Sequence, residues 1–145
     1  EPQIHGRALS ASEIISLTSR NATSDAWFYR YSGNARPSDA DWLLDLDADG
    51  YNSRLEFALG GNPTTASAGL APVLTHGLDF IFNRRRDGIS ASAYVPEVSE
   101  NLIAWQPFGT PSAIAHPTLD GFDLVTVSLP VSAVPARYVR LRVDP

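Results

Sequence analysis

The sequence predicts an α+β fold that is mainly β, with short helices gathered around an acidic loop and followed by a small antiparallel β-sandwich or open barrel. Three observations carry this expectation. Residues 10–59 hold capping residues and short apolar clusters, residues 62–77 are rich in Pro, Gly, Ser and Thr, and from Leu78 onward apolar residues alternate with polar ones. The expected division is an extended arm over 1–8, a helical segment with the acidic loop over 9–63, a linker over 64–77 and an antiparallel β domain over 78–145.

Taken in order, Ser10-Ala-Ser-Glu13 spells a capping box ahead of Ile14, Ile15 and Leu17 and predicts a first helix. Trp27, Phe28, Tyr29 and Tyr31 form an aromatic knot expected to face the core, and Ser32 to Pro37 is a turn. Ser38 should cap a short helix through Leu44. A second short helix is expected from Ser53 to Leu59, stopped by Gly60-Gly61-Asn62-Pro63. In the second half Leu78, Phe80 and Phe82 alternate up to Arg84, Asp87-Gly88 signals a hairpin, and Ile89, Ala91, Ala93 and Val95 continue the period of two. Leu102 to Phe108, Phe122 to Leu129 and Arg137 to Val143 supply further runs, with Asp120-Gly121 as another turn. About five antiparallel strands at this spacing suit a small sandwich or open barrel.

Composition removes several classes of function. The chain has 145 residues with 43% hydrophobic and 19% charged, suited to one globular domain or two small ones. Its apolar runs are a few residues long, well short of the roughly 18 to 20 needed for a membrane helix. No Met and no basic-then-apolar leader occurs, so a processed product or an excerpt of a longer chain is expected. The absence of Cys excludes disulfides, thiolate nucleophiles and iron–sulfur clusters. All eleven basic residues are Arg, which excludes Schiff-base chemistry and the Lys of a phosphate-binding loop. A net charge of -5 disfavours binding to a phosphate backbone.

Between the two short helices, Asp45-Leu-Asp47-Ala-Asp49-Gly50-Tyr51-Asn52-Ser53-Arg54-Leu55-Glu56 places three alternating acids, Gly at the sixth position and Glu at the twelfth. That spacing is the pattern of a calcium loop. Calcium is a hard cation that takes six to eight oxygens, and alternate acids in a tight loop bring three carboxylates to one centre. Asp45, Asp47, Asp49, the Tyr51 carbonyl, Ser53 (directly or through water) and Glu56 are the candidate ligands. Magnesium fits less well because it keeps its waters and takes few protein carboxylates. Sensor loops come in coupled pairs, and the sequence spells one, so a structural clamp is favoured over a switch.

The loop and the following Glu56-Phe-Ala-Leu-Gly-Gly-Asn-Pro63 resemble the calcium-loop segment near the C-termini of large secreted bacterial proteins, many of which act on polysaccharides. The similarity continues in the Arg-rich strand Phe82 to Arg86, the Ser-x-x-Leu-x-x-Trp element Ser99 to Trp105 and the Arg-x-x-Arg-Leu strand within Arg137 to Val143. It spans about residues 25–145 and departs at Ser53, where the family often has Asn. The loop also resembles one half of a dockerin, but dockerins carry two loops, so cohesin binding is not implied. The resemblance implies a secreted or cell-surface, non-catalytic structural or anchoring module attached to the rest of a larger chain.

Two alternatives stand beside it. A carbohydrate-binding module would use Tyr94 and Tyr138, expected on the polar faces of their strands, with Arg84 and Arg140 pairing with anionic polysaccharide. A self-assembling extracellular subunit would add the arm over 1–8 to a β edge of another copy. For Trp27, Trp42 and Trp105, packing is favoured over sugar stacking. His5, His76 and His116 lack metal spacing, and no nucleophile elbow or catalytic carboxylate pair stands out.

Overall fold

Two caps set the short helices of the first half. The computed structural model describes residues 22–76, 78–131 and 137–144, so the arm over 1–8 and the helix expected from Ser10 lie outside the described residues. Helix α1 runs over Ala22–Ser32, α2 over Asp39–Trp42 and α3 over Ser53–Leu59. At α2 the Ser38 hydroxyl accepts from the Asp41 N–H while the Asp41 carboxylate accepts from the Ser38 N–H at 2.7 Å, a reciprocal capping box. That bond from the Ser38 N–H, together with one donated by the Ser38 hydroxyl at 2.7 Å, holds the Asp41 carboxyl below the usual carboxylate range. At α3 the Asn52 side chain accepts from the Leu55 N–H at 3.0 Å, and the helix ends on Gly60 in the left-handed region at φ 94°.

The aromatic knot packs these helices together. The Trp27 ring stacks on Trp42 at 5.9 Å and meets Phe57 edge-on at 5.2 Å, while Phe28 tilts against Trp42 at 4.8 Å. Phe28 is buried but Tyr29 is 56% exposed, because a helix turns only one stripe inward. The expectation that all of Trp27 to Tyr31 faces the core therefore fails at Tyr29.

Among the described residues seven strands form two antiparallel sheets, giving the α+β, mainly β architecture. The strands are β1 Val73–Leu74, β2 Asp79–Arg85, β3 Tyr94–Ser99, β4 Gln106–Pro107, β5 Ser112–Ala115, β6 Phe122–Ser128 and β7 Tyr138–Val143. One sheet has the order β1-β2-β6-β5 and the other β4-β3-β7. The β2–β6 pairing runs from Asp79 opposite Ser128 to Arg85 opposite Phe122 and turns Phe80, Phe82, Val125 and Val127 inward. In the second sheet β3 pairs with β7 from Tyr94 opposite Val143 to Ser99 opposite Tyr138.

Three expectations are corrected here. Asp87-Gly88 does not close a hairpin, because β2 and β3 belong to different sheets and the segment between them carries the chain across. Residues 91–93 form a 3-10 turn capped by Ser90 instead of a strand. The segment 64–77 is more than a linker: it holds β1, paired with β2, and it sends Leu70 into the core. That core joins Ala58 and Leu59 of α3 to Phe80, Phe82, Tyr94, Phe108, Val125 and Val127 of the β region. At the same junction the Arg85 guanidinium lies between the rings of Phe57 and Phe122, 4.2 and 4.5 Å from their centres, and donates to the Phe57 carbonyl.

Candidate metal centre

The loop between α2 and α3 folds onto its own carboxylates. Asp45 accepts from the N–H groups of Asp49 at 3.2 Å and Gly50 at 2.9 Å, and Asp47 accepts from the Asp49 N–H at 3.2 Å. Asp49 accepts from the Tyr51 N–H at 2.8 Å. Such turns require unusual backbone, with Ala48 at φ 62° and Gly50 at φ 96°. Glycine bears that conformation freely, whereas at Ala48 the turn holds an alanine in a sparsely populated region. One carboxylate oxygen from each of Asp45, Asp47 and Asp49 lies within 4.8 Å of the others.

Glu56 supplies a fourth carboxylate from inside the protein. It is the fourth residue of α3 and is fully buried. Among the described residues its Oε2 atom has no hydrogen-bond partner, and neither has the buried Oδ2 atom of Asp47. A buried polar atom without a partner costs free energy comparable to a lost hydrogen bond, and a charged one costs more. Burial, and then the charges of Asp47, Asp49 and Asp45, push the Glu56 carboxyl up to about 7. Glu56 lies outside the 4.8 Å triplet yet responds to all three of its charges. Four acids with two orphaned oxygens form a donor set made only of oxygen, suited to a hard divalent cation.

The other expected ligands divide. Tyr51 follows Asp49 in the loop and is half-buried. Ser53 is fully buried, and both its N–H and its hydroxyl donate to the Leu44 carbonyl, at 2.9 and 3.1 Å. Its hydroxyl hydrogen therefore braces the base of the loop where the chain enters at Asp45.

Of the residues expected to contact sugar, Tyr138 and Arg140 share the exposed face of β7, whereas Arg84 lies on β2 in the other sheet. Tyr94 is buried, contrary to its expected place on a polar face. Its hydroxyl donates to the Ala58 carbonyl at 2.9 Å and accepts from the Arg85 N–H at 3.1 Å. The 3-10 turn before β3 interrupts the period of two, so Tyr94 points inward where unbroken alternation would turn it outward. Arg84 pairs with Asp123 at 2.8 Å, and Arg140 pairs with Glu97 at 2.8 Å while lying 4.0 Å over the Trp105 ring. Tyr138 is 44% exposed, as expected. His116 is satisfied locally, its Nδ1 accepting from the N–H groups of Thr118 and Leu119.

One residue at the centre was not legible in the pattern. Ser67, in the segment expected as linker, donates its N–H to Asp49 Oδ2 at 2.7 Å, and its hydroxyl lies 3.5 Å from Glu56 Oε1. Nothing in a run of small residues singles it out. The chain matches no protein-family model, no curated protein and no solved structure.

Proposed function

We propose that this chain is a calcium-clamped, non-catalytic structural or anchoring module of a larger secreted bacterial protein. The observation that carries the calcium reading is Glu56, a fully buried carboxylate with an orphaned oxygen beside three further acids. A divalent cation would offset the repulsion among these four groups and supply the orphaned oxygens with a partner. Asp45, Asp47, Asp49 and Glu56 would hold it, with the Tyr51 carbonyl as a further oxygen. The oxygen-only donor set favours calcium over softer metals, and the number of carboxylates favours it over magnesium.

A clamp agrees with the setting of the loop. Its exit is α3, whose Phe57, Ala58 and Leu59 are buried. Metal binding at the loop is thereby linked to the packing of the whole domain. The secreted and anchoring part of the reading rests on the sequence resemblance over residues 25–145. Calorimetric titration with calcium, together with melting curves in calcium and in chelator, tests the proposal. One calcium per chain and a melting temperature raised by calcium are expected. A melting curve that chelator leaves unchanged, with no heat of binding, overturns it.

A further inference from the structure

The proposed centre is not confined to the twelve-residue loop. Asp49 uses one carboxylate oxygen on the Tyr51 N–H within the loop and the other on the N–H of Ser67, eighteen residues away, at 2.7 Å. Ser67 also carries a hydroxyl that accepts from the Asn62 N–H at 3.0 Å. Its own hydrogen has two acceptors at long range, Glu56 Oε1 at 3.5 Å and the Thr65 carbonyl at 3.4 Å. One residue outside the loop thus touches two of the four acids, and one of those acids is the buried Glu56 with its orphaned oxygen.

The path of the chain makes this approach possible. Gly60 and Gly61 both donate their N–H groups to the Glu56 carbonyl at 2.8 Å, which turns the chain back across α3. Gly61 then passes so close that a Cβ there would meet Leu70 at 2.6 Å and the Glu56 Cβ at 2.9 Å. From this crossing the segment runs over the fully buried Pro63 to Ser67 and on to Leu70 in the core.

We infer that Ser67 is a positioning residue of the metal centre, and that the cation clasps segment 62–70 against the loop. This rests on the calcium reading. The Ser67 N–H fixes the Asp49 carboxylate and the hydroxyl steadies Glu56, so both acids are held in place before the ion arrives. By reciprocity, an ion that orders Asp49 and Glu56 orders the segment that holds them.

The test compares the native chain with Ser67→Ala and Ser67→Thr by calcium titration, with melting curves in calcium and in chelator. Calcium affinity should fall about tenfold in Ser67→Ala, with the loss in Ser67→Thr much smaller because the hydroxyl is kept. Loss of the partner of the Asn62 N–H should lower the melting of Ser67→Ala in calcium and in chelator alike, and the calcium-induced rise between the two should shrink as well, which a purely structural role would not produce. Amide exchange adds a readout that needs no variant: in the native chain the Ser67 N–H should slow on adding calcium. Native calcium binding with unchanged affinity in Ser67→Ala and unchanged exchange at Ser67 overturns the inference and leaves the calcium reading standing. Absence of calcium binding by the native chain overturns the calcium reading itself.

Discussion

Replacing Glu56 with Gln should stabilise the calcium-free protein at neutral pH while removing its response to calcium. Glu56 is fully buried, and burial with the charges of Asp47, Asp49 and Asp45 raises its carboxyl from 4.5 to about 7. Between these two values the folded chain holds a proton that the unfolded chain has released. The stability of the calcium-free protein must therefore fall as pH rises through this window. At about 1.4 kcal/mol per pH unit the loss is on the order of 3 kcal/mol. That corresponds to roughly 10 °C in melting temperature for a domain of this size. Gln carries no charge at any pH, so Glu56→Gln in chelator should show little of this slope between pH 5 and 7.5. In calcium the native protein should gain about 2.7 kcal/mol at 100 times the dissociation constant, and the variant should gain little. Differential scanning calorimetry of both proteins, with and without chelator at several pH values, reads all four quantities. A flat pH profile for the native protein in chelator, or an undiminished calcium response in Glu56→Gln, is incompatible with a buried Glu56 that holds a proton and gives it up to the cation.

Three further outcomes are expected. Gly61→Ala should destabilise the fold by about 1–3 kcal/mol in urea unfolding, because the added Cβ would press on Leu70 and on the Glu56 stem. Tyr94→Phe should cost about 1–3 kcal/mol by leaving the buried Ala58 carbonyl and Arg85 N–H without their partner, and should leave any retention on polysaccharide in affinity electrophoresis unchanged. Acid unfolding in the presence of calcium should depend on Asp123 and Glu97. Bonds from Arg84 and Arg86 hold the Asp123 carboxyl low, and at Glu97 burial is outweighed by the bonds from Arg140 and Arg142. Their contribution is present above the ordinary carboxylate values and lost as pH falls through the depressed ones, so Arg84→Ala should move the acid midpoint upward.

How much of this was legible in the sequence depended on whether the signal was local. Helix α3 was expected with its observed limits, because the Gly60 stop acts within a few residues of the helix it ends. Strands β2, β6 and β7 were visible because each sends apolar side chains toward the core at spacings of two, Phe80 and Phe82, Val125 and Val127, and Val139, Leu141 and Val143. The phase of β3 was lost at the 3-10 turn, where a short change of backbone period put Tyr94 inside. Strands β1 and β5 are short edge strands with exposed side chains, so burial never wrote a pattern into them. The same contrast runs through the candidate metal centre. The three acids and Glu56 are spelled out by spacing, whereas Ser67 arrives by a tertiary path that the crossing at Gly61 decides.

The shared core limits how this protein can be divided. Ala58 and Leu59 lie against side chains of the β region, Leu70 joins them from the intervening segment, and Arg85 reaches back from β2 to the ring and carbonyl of Phe57 on the helical side. A cut at 64–77, where composition alone would place it, would strip an apolar face from both fragments. For an engineer, a portable piece must accordingly keep the stretch from the aromatic knot to β7 whole. Grafting the acidic loop with α3 onto another carrier would move its four carboxylates without the surroundings that keep Glu56 dry.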